Sequence, residues 1–198
     1  MPINLDILYT WGAAHKKYAK NELIFEENET AKYYFQVISG SVRMFNATEE
    51  GKQFTQGIFY RNESFGEPPL FIDEIYPSSA ITAQESIIIR ISKEKFLKIL
   101  DEHSELKNYF LKLLANRIFN KANTSKEIIN QKPAFRIIAF LNHFKNKNLI
   151  TDKKRLLVPF TRQEIADFTG LRVETVIREV KKLEALKKIE IIEHKIYF

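Results

Sequence analysis

The chain has 198 residues, 44% of them hydrophobic and 28% charged, a composition that excludes disorder and leaves room for two small domains. It contains no cysteine, which rules out a disulfide framework, a thiolate zinc site, a cysteine nucleophile and a cysteine-ligated iron–sulfur cluster. The net charge of +6 is unevenly placed: residues 131–198 carry 15 Lys and Arg against 8 Asp and Glu, whereas residues 1–130 carry 16 against 17. Such a surplus in one third of a chain points that third toward a polyanion.

The amino terminus, MPINLDILYTW, has neither a basic start nor a continuous apolar run, and no later stretch approaches membrane-spanning length. A cytoplasmic protein without a membrane partner is expected. Residues 5–18 suggest a short helix with Leu5, Leu8 and Trp11 on one side, interrupted by Gly12. From Leu23 the pattern changes to short β-branched and aromatic runs at 23–25, 33–38, 41–45, 54–60, 80–84 and 86–91, separated by turn signals. Regularly spaced short strands of this kind predict a sandwich or barrel-like roll. Gly40 and Gly51 sit where tight turns are needed, and Asn28 and Asn62 suit a left-handed backbone.

After Ser92 the alternation stops, and SKEKFLKIL reads as a short helix with half a capping box. From Ser104 to about Ile129 there is neither Pro nor Gly, and Leu106, Phe110, Leu113, Leu114 and Ile118 recur at threes and fours. Such a stripe can pack on its own domain or on a second copy, and its length favours a homodimer with those five residues in the interface. Pro133 can open the next helix, and Ala134 to Phe144 is amphipathic. LLVPF at 156–160 is a strand candidate, and the terminal IEIIEHKIYF suggests a hairpin wing turning at Glu193-His194.

Between these lies TRQEIADFTGLRVETVIREVKKL, residues 161–183. Thr161 and Glu164 form a capping box, Ala166 lets a second helix approach, and Gly170 supplies a turn. The second helix buries Leu171, Val176, Val180 and Leu183 by their spacing, leaving Arg172, Val173, Glu174, Ile177 and Arg178 directed elsewhere. An exposed Glu and Arg near the start of such a helix are the types that accept from cytosine N4 and fork onto guanine O6 and N7. Spacing alone would equally allow Glu174 and Arg178 to be a solvated ion pair of about 0.2–0.5 kcal/mol. No Walker phosphate loop, paired-histidine metal helix or serine elbow is present, so no enzyme is expected.

The order of parts and the residues resemble the cyclic-AMP receptor protein and fumarate–nitrate regulator family (Crp/Fnr) of bacterial transcription factors. Phe65-Gly66-Glu67 with Leu70-Phe71 and Ser79-Ala80 looks like the family's phosphate-binding cassette, and Gly40-Ser41-Val42 like an early strand turn. Thr161-Arg162-Gln163-Glu164-Ile165-Ala166 and Glu174-Thr175-Val176 with Arg178 resemble its helix-turn-helix closely. The resemblance implies an α+β fold: an amino-terminal antiparallel β-roll at 1–102, a dimerisation helix at 103–130 and a winged helix-turn-helix at 131–198. It implies double-stranded DNA and RNA polymerase as partners, and a pseudo-palindromic operator with half-sites about 34 Å apart. Glu174 and Arg178 would read bases, Val173 would meet a thymine methyl, Thr175 and Ile177 would adjoin them, and Thr161, Arg162 and Gln163 would hold the backbone. Arg172 replaces the usual Ser or Thr cap and would reach a phosphate.

The implied effector site is Gly66, Glu67, Ser78, Ser79 and Lys121. Cyclic AMP fits it poorly, because Ser78 stands where the cyclic-AMP branch has an arginine, Pro68 and Pro69 remove two amide donors, and Lys121 and Ala122 replace hydroxyl residues. No cofactor is predicted, although haem stays open through His15, His103, His143 and His194. The competing reading is a cyclic-nucleotide-binding module acting mainly through protein partners.

Overall fold

The computed structural model describes residues 2–129, 132–147 and 156–198. The chain divides into two units, 1–118 and 119–198, each with its own core.

The first unit opens with α1 (Leu5–Thr10) and continues as β1 (Ala14–Tyr18). The single helix expected over 5–18 is therefore corrected to a helix and a strand. Gly12 lies at φ 80°, which ends the helix, and residues 14–18 then pair antiparallel with residues 86–90. The remaining strands are β2 (Leu23–Phe25), β3 (Tyr33–Ser39), β4 (Ser41–Ala47), β5 (Gln53–Tyr60), β6 (Ser64–Phe65), β7 (Ser79–Thr82) and β8 (Ser86–Ser92). They form two antiparallel sheets, ordered β1-β8-β3-β6 and β2-β7-β4-β5. The two-residue β6 and the short α2 (Pro68–Ile72) carry too little periodicity to be read in advance. Pro68 and Pro69 begin α2, where a helix leaves amides unbonded in any case.

Gly40 at φ 85° is obligatory, since a Cβ there would lie 2.5 Å from the Glu85 carbonyl oxygen and 2.7 Å from the Ser86 Cα. Asn28 and Asn62 adopt the expected left-handed backbone at φ 71° and 65°.

β3 is buried on both faces, which is why it reads as a continuous apolar run. Phe35 and Val37 face the roll interior, where Phe25, Phe35 and Phe65 meet at ring-centroid distances of 5.4–6.1 Å. Tyr34 faces the other way, stacked on Phe96 of α3 (Lys93–Glu102) at 4.5 Å and edge-on to Phe110 of α4 (Ser104–Ile129) at 5.9 Å. Phe110 is 1% exposed and belongs to the roll's core, with Leu106 and Leu113 packed beside it. Phe110, expected to serve a second copy, is thus spent on its own sheet, while Leu106 and Leu113 are half-buried against it. Leu114 is half-buried, whereas Leu111, Ile118 and Phe119 are 67–70% exposed.

The second unit holds α5 (Pro133–Lys147), β9 (Leu157–Val158), α6 (Arg162–Thr169), α7 (Val173–Ala185), β10 (Glu190–Ile192) and β11 (Lys195–Tyr197). Its core joins Ile137, Leu141, Ile165, Val176, Val180, Leu183 and Ile196. β10, β11 and β9 make a small antiparallel sheet. The wing turns through Glu193 and His194, both at positive φ (48° and 63°), the geometry that a two-residue hairpin loop requires. The expected division between residues 130 and 131 lies outside the described residues.

Candidate functional site

The start of α6 is fixed by a complete capping box. The Glu164 amide donates to Thr161 Oγ1 at 3.1 Å, and the Thr161 amide donates to Glu164 Oε2 at 2.7 Å. Gly170 ends α6 in the left-handed conformation at φ 64°, and buried Ala166 lets α7 pack closely. The Thr169 hydroxyl donates to the Ile165 carbonyl at 2.7 Å, while Arg136 of α5 donates to the Thr169 carbonyl. The end of α6 is thus held by its own threonine hydroxyl and by an arginine of α5.

α7 buries Val176, Val180 and Leu183, as their spacing predicts, while Leu171 is half-buried. Arg172, Glu174, Ile177 and Arg178 are exposed, and Thr175 is half-buried. Val173 is also half-buried and packs against the core, so only part of its surface is available. Arg172 makes no side-chain cap to the start of α7.

Glu174 and Arg178 do not pair with each other. Arg178 Nε lies 3.4 Å from Glu179 Oε1, and Lys182 Nζ reaches the same oxygen at 2.9 Å. The hydrogen bond from Lys182 holds the Glu179 carboxyl below its ordinary range, with Arg178 adding to the effect. Glu179, whose side chain is only 11% exposed, therefore braces two cations from beneath. Sequence reasoning missed it, although position 179 lies three after Val176 and four before Leu183 and so falls on the buried stripe. Arg162 donates to the His194 carbonyl at 2.6 Å, tying α6 to the wing turn, and Gln163 donates to Asp167 at 2.8 Å. Gln163 is exposed beside exposed Thr161 at the start of α6, and Arg162 between them is half-buried.

In the roll, Gly66 at φ 74° faces a wall of rings: a Cβ there would lie 3.2 Å from Phe25 and 3.4 Å from Tyr76. Glu67 is fully buried. Its Oε2 pairs with Arg117 at 2.7 Å, while its Oε1 has no partner. Arg117, from α4, also donates to the Ser64 carbonyl at 2.7 Å and lies over the Phe59 ring at 5.3 Å. Arg117 was not among the predicted site residues, since its partner stands fifty positions away in sequence. Ser78 is buried, and the Ser79 hydroxyl accepts from the Glu27 amide at 3.0 Å. Lys121 is exposed on α4 beyond Arg117.

His15 bonds the Tyr9 hydroxyl at 3.0 Å, and His103 lies 3.3 Å from Glu105. Among the described residues no three His, Asp or Glu side chains gather to hold a metal, and no helix is long and apolar enough to cross a membrane.

Comparison with known proteins agrees with this division. A cyclic nucleotide-binding domain matches residues 15–103, and a Crp-like helix-turn-helix domain matches residues 135–197. The cAMP-activated global transcriptional regulator CRP of Haemophilus influenzae is 31% identical over 188 residues, spanning 91% of this chain and 81% of that protein. The transcriptional activatory protein AadR of Rhodopseudomonas palustris is 26% identical over 185 residues, spanning 91% of this chain and 75% of that protein. In fold, the global regulator CLP of Xanthomonas campestris superposes with a TM-score of 0.82 at 19% identity, covering 98% of this chain and 99% of that one. FixK2 of Bradyrhizobium japonicum gives a TM-score of 0.78 at 19% identity over 94% and 92%. The chain belongs to the Crp/Fnr family of transcription regulators, proteins that carry a helix-turn-helix DNA-binding domain and are not enzymes.

Proposed function

We propose that the protein is a cytoplasmic, homodimeric regulator that reads a pseudo-palindromic operator through Glu174 and Arg178 and acts with RNA polymerase. The observation that carries this reading is the separation of those two side chains. Glu174 is exposed on the first turn of α7 and forms no ion pair with Arg178, whose carboxylate contact is Glu179. A mutual salt bridge would occupy both groups; here the carboxylate can accept from cytosine and the braced guanidinium can fork onto guanine. Thr161, Arg162, Gln163 and Arg172 would meet phosphates on either side, with Thr175 and Ile177 flanking the base readers. Exposed Leu111, Ile118 and Phe119 on α4 supply the apolar surface for a second copy.

Cyclic AMP is not the expected effector. A buried cyclic phosphate would meet Ser78, and the nearby guanidinium of Arg117 is already paired with Glu67. The competing reading is a cyclic-nucleotide module acting mainly through proteins. Selection of duplexes from a random pool by the full chain tests the proposal. A two-fold-related sequence with half-sites about 34 Å apart is the expected result. Recovery of no common sequence would refute it.

A further inference from the structure

Between the two sheets of the roll lies a cleft of about 380 Å³ that Gly66, Glu67 and Arg117 do not line. Its walls are aromatic. Tyr33 and Phe35 lie two apart on β3 and so share a face, and Arg90 of β8 stands directly opposite Phe35. Phe25 and Tyr76 close the other side, stacked with ring centroids 3.8 Å apart.

The rim is cationic. The Arg90 guanidinium lies over the Tyr33 ring, 4.6 Å from its centroid. Arg90 and Lys32 are both exposed and line the cleft, and neither belongs to an ion pair among the described residues. Glu29 also lines it, so the rim keeps a surplus of one positive charge. Burial pushes the Tyr76 phenol up to about 12, so it stays neutral and adds no negative charge.

We propose that this cleft binds a small aromatic carboxylate, its ring among Phe25, Tyr33, Phe35 and Tyr76 and its carboxylate against Arg90 and Lys32. The volume suits a molecule of one or two rings. A guanidinium over a tyrosine face can still direct N–H groups to a planar, two-oxygen acceptor. Glu29 opposes a second negative charge, which favours a carboxylate monoanion over a phosphate dianion.

The stacked pair of Phe25 and Tyr76 is also the wall behind Gly66. A molecule in the cleft is therefore one ring's thickness from the turn that presents Glu67 to Arg117. The site stands apart from the DNA reading, because binding is measured on the protein alone.

Calorimetry of the full chain with benzoate, phenylacetate and indoleacetate is the test, with phenylacetamide and inorganic phosphate as controls. At least one acid binds saturably, while phenylacetamide and phosphate bind at least about tenfold more weakly. Arg90→Gln weakens the acid by about tenfold or more, with the melting temperature unchanged because Arg90 is exposed, and Glu29→Gln tightens it. The proposal is overturned if no acid binds at millimolar concentration, if phenylacetamide or phosphate binds as well, or if both Arg90→Gln and Lys32→Gln leave affinity unchanged.

Discussion

Arg117 and Glu67 show how much one buried charge pair can fix. Glu67 has lost all contact with solvent, so its carboxylate relies on the guanidinium 2.7 Å away. Removing that partner leaves an uncompensated buried charge, whereas replacing both partners by groups of similar size need not destabilise. Because the Arg117 side chain is 28% exposed, the lower end of the usual range applies. Arg117→Ala should destabilise the roll by about 3 kcal/mol in urea unfolding, and Arg117→Met with Glu67→Gln should recover most of it. A double variant as unstable as the single one would show that packing, and not charge, dominates.

Glu179 offers a pH test in the other unit. Its folded carboxyl titrates below the ordinary value, so its stabilising contribution is complete above about pH 4.3 and disappears as pH falls through the lowered value. Glu179→Gln should therefore lower the unfolding midpoint at pH 7, and the gap to the natural protein should close as pH falls through that lowered value. A gap independent of pH would mean that shape matters and charge does not.

At the scale of elements, α4 serves two faces. Phe110 fills a site among Tyr34, Phe71 and Phe96, whereas Ile118 is 70% exposed. Phe110→Ala should cost about 3–5 kcal/mol and unfold the roll in urea at lower concentration. Ile118→Glu should leave folding within about 0.5 kcal/mol but abolish self-association in sedimentation equilibrium. The opposite pattern would place the interface elsewhere.

The same helix shows what a sequence reveals. The threes and fours along 104–129 predict a helix with apolar residues to bury, but not which face meets which neighbour, since two stripes lie side by side. Local chemistry was legible: Thr161, Glu164 and Gly170 lie within one or two turns, and their hydrogen bonds form as expected. Pairings distant in sequence were not. Residues 14–18 are a strand only because β8 lies beside them, and Arg117 finds Glu67 only through the fold.

At the scale of the molecule, the chain joins a roll whose interior is filled with rings to a basic helix-turn-helix carrying the positive surplus. On the proposed reading, that surplus would give affinity for any duplex and Glu174 and Arg178 would supply preference. The two contributions separate cleanly when one base reader is removed. The most direct test of the account is fluorescence anisotropy of the natural protein and Arg178→Ala on the selected operator and on a scrambled duplex at equal salt. Arg178→Ala should lose about 1–3 kcal/mol of discrimination between the two duplexes while binding to the scrambled one changes little. Undiminished preference for the operator in Arg178→Ala would contradict the account.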